Sequence, residues 1–229
     1  MKPKKESSWP TAVTIATGIL FGLFIWNHAK AMEMELGIGQ THFSHTPNGT
    51  WWQQGFPYKL DMSHLADSIG MTGRINSWLR WHTDYESLGR ASENSWDTPS
   101  DANYSITTPN HCNGTCLPLA NYVGSGSIRG IALTLAPEYR IADDLRFFVN
   151  AGPFLYRSSW NEQVYNWFGT TVYLNHKTRW EIGEKIGLGI RNHRFGIEYD
   201  WYPCLHTTGD SIPSLYTGAK VLRLEGYFS

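Results

Sequence analysis

Three groups of residues have types and spacing that could do chemistry. The first lies in "SWLRWHTDYESLG" (77–89), where Arg80, His82, Asp84 and Glu86 recur at every second position. A histidine next to two carboxylates can take up and release a proton, but no nucleophile stands beside them in the pattern. The second is "HFSH" (42–45), where His42 and Ser44 form an H-x-S pair. Such a pair acylates only if a third, acidic group orients the imidazole. The third is "CNGTC", with Cys112 and Cys116 in a turn-rich stretch and Cys204 far away. In an oxidising compartment the close pair reads as a small loop disulfide, with Cys204 left free or paired to one of them. A metal site with His111 lacks a second pair of ligands. There is no P-loop, no H-E-x-x-H and no EF-hand spacing. The expectation is therefore no catalytic set beyond the weak candidates His42 and Ser44, no metal and no cofactor.

The elements that carry these residues have a period of two. In "MELGIGQTHF" (34–43), Met34, Leu36 and Ile38 alternate with Glu35, Gly37 and Gly39. The same rhythm recurs at 68–75, 78–88, 128–141, 145–157, 179–191, 195–203 and 220–229. Strict alternation over such lengths predicts half-buried strands, eight of them, and no helical period persists after residue 32. One face of nearly every strand is apolar and aromatic. The other holds charges of both signs: Arg74, Arg80, His82, Asp84, Glu86, Glu138, Arg140, Glu181, Lys185, Glu198, Asp200, Arg223 and Glu225. Glu184 breaks the pattern by falling on the apolar face, where either a bulge turns it inward or it faces an apolar medium.

Short connections are expected at 75–77, 142–144 and 192–194, each with Asn or Asp, and long ones at 44–64, 89–127, 158–178 and 204–215. Strict alternation of short and long fits an up-and-down barrel with short turns on one side of a membrane and long loops on the other. The first 31 residues read separately. Lys2, Lys4 and Lys5 precede an apolar run at 12–26, and "AKA" (29–31) has the small-x-small form of a cleavage site. This predicts a signal peptide over 1–31 and a mature barrel domain over 32–229. Cleavage would leave 15 basic and 19 acidic side chains, a net charge of −4, which argues against nucleic acid as a partner. Eleven Trp and twelve Tyr suit a surface where apolar meets wet.

The motifs "ELGIG" and "GMTGRINSWLRW", the turn rhythm and the end "RLEGYFS" resemble the small eight-stranded barrels of Gram-negative outer membranes. These are the OmpA transmembrane domain and the Ail/Lom group, phage- and prophage-encoded barrels among them. The resemblance spans 32–229; one departure is Ser229, which follows the terminal aromatic. It implies an all-β, eight-stranded antiparallel transmembrane barrel in the outer membrane, with short periplasmic turns and long extracellular loops. Outer-membrane lipid, lipopolysaccharide and the barrel-assembly machinery are the partners it implies. The charged face would then line a narrow lumen as a network of ion pairs. The loop aromatics Trp51, Trp52, Phe56 and Tyr58 would sit at the headgroup level or on a binding surface.

The leading functional expectation is a non-enzymatic surface protein acting through its loops on a host or phage surface ligand, in adhesion, resistance or phage exclusion. One alternative is an enzyme acting on lipid A. The H-x-S pair resembles that of the deacylases, which carry theirs late in the chain and not at its start. The other alternative is a soluble periplasmic barrel that binds a ligand, with the apolar face as its core.

Overall fold

The computed structural model describes residues 32–45, 58–97, 120–166, 171–203, 205 and 216–228. They form nine strands: β1 (Met32–His45), β2 (Tyr58–Asp61), β3 (Ser63–Arg74), β4 (Leu79–Asp97), β5 (Ala120–Arg140), β6 (Arg146–Asn166), β7 (Thr171–Arg191), β8 (Phe195–Tyr202) and β9 (Tyr216–Phe228). Every pairing is antiparallel between neighbours in the order β4-β3-β1-β9-β8-β7-β6-β5, and β4 also pairs β5, so the sheet closes. β2 and β3 lie along the same side of β4, above and below Met62. Nine strands therefore make eight staves, and the described chain is an all-β, closed eight-stranded antiparallel barrel. Closure leaves no edge along the shared height of the wall.

Alternation produces this wall, with its polarity reversed relative to a water-soluble protein. β8 is the plainest case. Phe195, Ile197, Tyr199 and Trp201 are exposed, and Gly196, Glu198, Asp200 and Tyr202 are buried. Around the barrel Leu36, Ile69, Ile131, Leu155, Leu188 and Leu224 all face outward and are 43–59 % exposed. Trp81 also faces outward but lies flat over Gly73, and is 5 % exposed.

The short connections fall where Asn and Asp predict them. Asn76 Oδ1 accepts the Trp78 amide at 2.9 Å. Asn192 Oδ1 accepts the amides of Arg194 and Phe195, both at 2.7 Å. Such side-chain acceptors stand in for the missing backbone partners of a tight turn.

Two differences from the sequence reading concern the other end. β4 continues to Asp97, β5 begins at Ala120, β6 runs to Asn166 and β7 begins at Thr171, so much of the chain expected in connections is strand. β2 is a short strand within the stretch expected as the first long connection. Glu184 faces outward, opposite Pro153, because the β6–β7 register runs unbroken past it. The bulge occurs elsewhere. Gly89 has φ +81°, and the β4–β5 register shifts between Ser87 and Arg90. A left-handed residue at that point needs glycine, and the extra residue leaves Leu88 pointing inward and Arg90 outward.

Candidate functional site

Inward-facing residues fill the barrel in layers. At the short-turn end, Glu33 on β1 receives Arg80 of β4 at 2.6 Å and Arg191 of β7 at 2.9 Å. The buried Glu138 of β5 lies 3.2 Å from Arg146 of β6 and 3.8 Å from Arg80. The Arg80 Nε also donates to Thr72 Oγ1 at 3.2 Å, and the Arg191 guanidinium stacks 3.8 Å above the Tyr227 ring. A cleft of about 140 Å³ opens here, lined by Arg74, Arg80, Arg146, Arg191 and the Asp143–Asp144 turn.

The next layer pairs His82 Nδ1 with Glu35 Oε2 at 3.0 Å, and the imidazole stacks on Phe148. Asn150 donates to Glu198, and the Tyr227 hydroxyl donates to Glu225. Ligand-type atoms of Glu35, His82 and Asp84, and of Glu35, Glu198 and Glu225, come within 4.8 Å of one another. Both groups share Glu35, whose counter-group is already His82.

Above them Lys185 and Arg223 act as hubs. The Lys185 Nζ lies 2.8 Å from Glu86, 3.3 Å from Glu198 and 3.4 Å from Asp200. Arg223 lies 2.9 Å from Asp200 and 3.2 Å from Glu86, and the Tyr202 hydroxyl donates to Glu86 at 2.5 Å. Gly187 makes room for this layer, because a Cβ there would collide with the side-chain oxygens of Asn150 and Asp200. Beyond the charges the lumen turns apolar. Phe43, Met62, Leu88, Ile128, Phe154, Trp160 and Val221 pack together within the wall. The sequence reading expected a polar interior throughout and placed nothing there. Part of this cluster lies on strand beyond the alternating segments it used, where no motif marks it.

The residues singled out from sequence are distributed as follows. Arg80, His82, Asp84, Glu86, Glu138, Lys185, Glu198, Asp200, Arg223 and Glu225 are buried in the lumen. Glu181 is half-buried at the outer end, held by the Tyr156 hydroxyl at 2.8 Å and by Arg179 at 3.2 Å. Arg74 is exposed at the short-turn mouth. Arg140 departs from the expected network: it lies beyond the last buried layer and pairs with Asp143 of the turn at 3.0 Å. Glu33, Glu35 and Arg191 belong to the interior and were not singled out, although Glu35 and Arg191 stand on the polar side of their alternating runs. His42 faces outward on β1, and its Nδ1 meets the hydroxyl of Ser63, not of Ser44, at 2.9 Å. Among the described residues no carboxylate lies within 4 Å of it. Trp51, Trp52, Phe56, Cys112, Cys116 and Cys204 lie outside the described residues, as does the side chain of Tyr58.

The arrangement can hold charge rigidly. An eight-stranded wall encloses a space that side chains fill, and here ion pairs and then an apolar cluster fill it.

No protein-family model and no curated protein matches the chain. Among solved structures it is similar to Neisserial surface protein A (11 % identity, TM-score 0.43, 87 % of this chain and 97 % of that one). It is also similar to Ail, the attachment invasion locus protein of Yersinia pestis, in complex with the heparin analogue sucrose octasulfate (13 %, TM-score 0.42, 86 % and 99 %). A third is the N-terminal β-barrel domain of Pseudomonas aeruginosa OprF (11 %, TM-score 0.34, 87 % and 98 %). The closed barrel itself rests on the strand pairing of this chain.

Proposed function

We propose that the chain is an outer-membrane barrel of a Gram-negative cell, a non-enzymatic surface protein acting through its long-connection end. The observation that carries this is the inverted polarity of the wall: charges buried within, apolar side chains exposed without. On β5 the apolar outward face ends at Tyr139 below and at Arg129 above, ten residues apart. A tilted strand of that length crosses about 25 Å, the height of the apolar band of such barrels. Trp78, Tyr139, Phe195 and Phe228 stand at the short-turn rim, as an aromatic girdle does. β5, β6 and β7 have 21 residues each, about twice what a crossing needs, so their outer halves form a rigid stand above the band. The connections 46–57, between β1 and β2, and 98–119, between β4 and β5, are the proposed contact surface for a host or phage ligand.

Cell fractionation tests the location. The protein is expected in the outer-membrane fraction with heat-modifiable gel migration; recovery in the soluble periplasm would instead support a soluble binder. Replacing 98–119 by a short turn is expected to leave that migration intact and abolish adhesion, serum resistance or phage exclusion, whichever the intact protein confers. Survival of the activity would remove that connection from the proposal.

A second reading, a lipid-modifying acyl hydrolase or acyltransferase at the outer rim, would rest on the His42–Ser63 contact, which has no acidic partner among the described residues. Mass spectrometry of lipid A from cells with and without the protein separates the two. An acyl change abolished by Ser63→Ala or His42→Ala would replace the non-enzymatic reading.

A further inference from the structure

The outward face changes character abruptly on β4, β5 and β6. Ile131 and Leu155 are in register with each other and face the apolar side. Two residues further up, Arg129 and Arg157 are again directly opposite, and both are exposed. Like charges directly opposite on adjacent strands repel. Among the described residues no carboxylate lies within 4.0 Å of either guanidinium, whereas the buried cations Arg80, Lys185, Arg191 and Arg223 of the lumen are each paired with carboxylates. Arg90 adds a third exposed guanidinium beside them. It is held by one neutral contact, to Ser125 Oγ at 3.0 Å, and its strand partner Ser127 lies two residues above Arg129. Trp180, 60 % exposed, is opposite Arg157 on the next strand. The wall thus sets three cations and an indole at the upper limit of its apolar band.

We infer that Arg129, Arg157 and Arg90 form a site for the phosphate of an anionic lipid headgroup in the outer leaflet. The chemistry is specific. Guanidinium groups bind phosphate oxygens in a bidentate manner, and a doubly charged anion between two of them turns their repulsion into attraction. The acyl chains of such a lipid would lie along Ile131, Leu155 and Ile182, which are exposed just below. The site rests on the membrane reading above, since it needs a bilayer whose headgroups lie at this height. It goes further by naming the lipid chemistry and the residues that read it.

The test uses the full mature protein reconstituted in phosphatidylcholine vesicles, with bisphosphorylated lipid A as probe and its dephosphorylated form as control. Native mass spectrometry after detergent extraction counts retained lipid. The expected result is phosphate-dependent retention by the wild type, reduced about tenfold or more in Arg129→Gln/Arg157→Gln. Arg140→Gln, at the opposite rim, is expected to match the wild type. Heat-modifiable migration shows which variants are folded, and the single variants Arg129→Gln and Arg157→Gln serve if the double variant is not. Equal retention by folded variants, equal retention of dephosphorylated lipid, or loss of retention to millimolar inorganic phosphate alone would overturn the site while leaving the membrane reading intact. Failure of the wild type to insert into vesicles would overturn both.

Discussion

Lys185 shows how the interior is held together. Its ammonium faces three carboxylates from two strands, Glu86 of β4 and Glu198 and Asp200 of β8, at 2.8–3.4 Å, away from bulk water. Burying such charges is costly unless each finds its partner, so removing one partner leaves an uncompensated charge behind. Lys185→Met is expected to lower unfolding stability by about 3–5 kcal/mol, read from the urea midpoint of the protein folded in vesicles. A change within about 0.5 kcal/mol would mean that the hub is dispensable. Glu184, one residue away, makes the opposite point. It faces outward within the apolar band, where a carboxylate is disfavoured. Glu184→Leu is expected to stabilise the protein in vesicles by about 1 kcal/mol, and destabilisation of that size would show that the side chain has a partner there. The sequence placed this residue on the apolar face and left open whether a bulge rescues it. Periodicity alone could not decide, because a bulge one residue long shifts every later side chain to the other face. The bulge at Gly89 was equally invisible: "SLGRA" reads as the end of a strand, and the left-handed glycine inside one is seen only in the register.

The strands were legible in proportion to the contrast between their faces. The short-turn ends of β3, β5, β7 and β8 fall within one residue of where alternation and turn-forming Asn or Asp place them. Apolar outside against charged inside gives a clean period of two there. Their outer ends run on by eight residues or more in β5, β6 and β7, through stretches such as "SSWNEQVYN" that carry no alternation. Where both faces meet polar surroundings or an apolar cluster fills the inside, the contrast fades while the hydrogen-bonded ladder continues. The candidate site divides in the same way. Most of the charged layers were legible because their members sit on alternating strands, with Glu33 just outside its run as an exception, whereas the pairing of His42 with Ser63 depends on β1–β3 register, which no local pattern carries. At this scale Gly187 is one of the points where the wall closely approaches its contents. Gly187→Val is expected to displace Asn150 and Asp200 and to lower the fraction of protein with heat-modifiable migration severalfold. Normal folding yield would show that the layer can rearrange around a side chain.

The described residues form a closed wall with a charged interior below, an apolar plug above it, and an apolar exterior. The plug and the ion pairs together predict a barrel that does not conduct. Planar-bilayer recordings of the reconstituted protein are expected to show no stable channel steps, and discrete, long-lived openings would require an interior that reorganises. The central claim is that the exterior meets lipid, and alternation along one strand tests it most directly. In a background with Cys112, Cys116 and Cys204 replaced by Ser, nitroxide labels placed one at a time at Ile131, Ala132, Leu133, Thr134 and Leu135 can be read for collision with oxygen and with a water-soluble nickel chelate. In vesicles the labels at 131, 133 and 135 are expected to collide with oxygen and not with the chelate, and those at 132 and 134 with neither. Chelate access at 131, 133 and 135 equal to that of a label at Tyr139 would contradict a lipid-facing exterior.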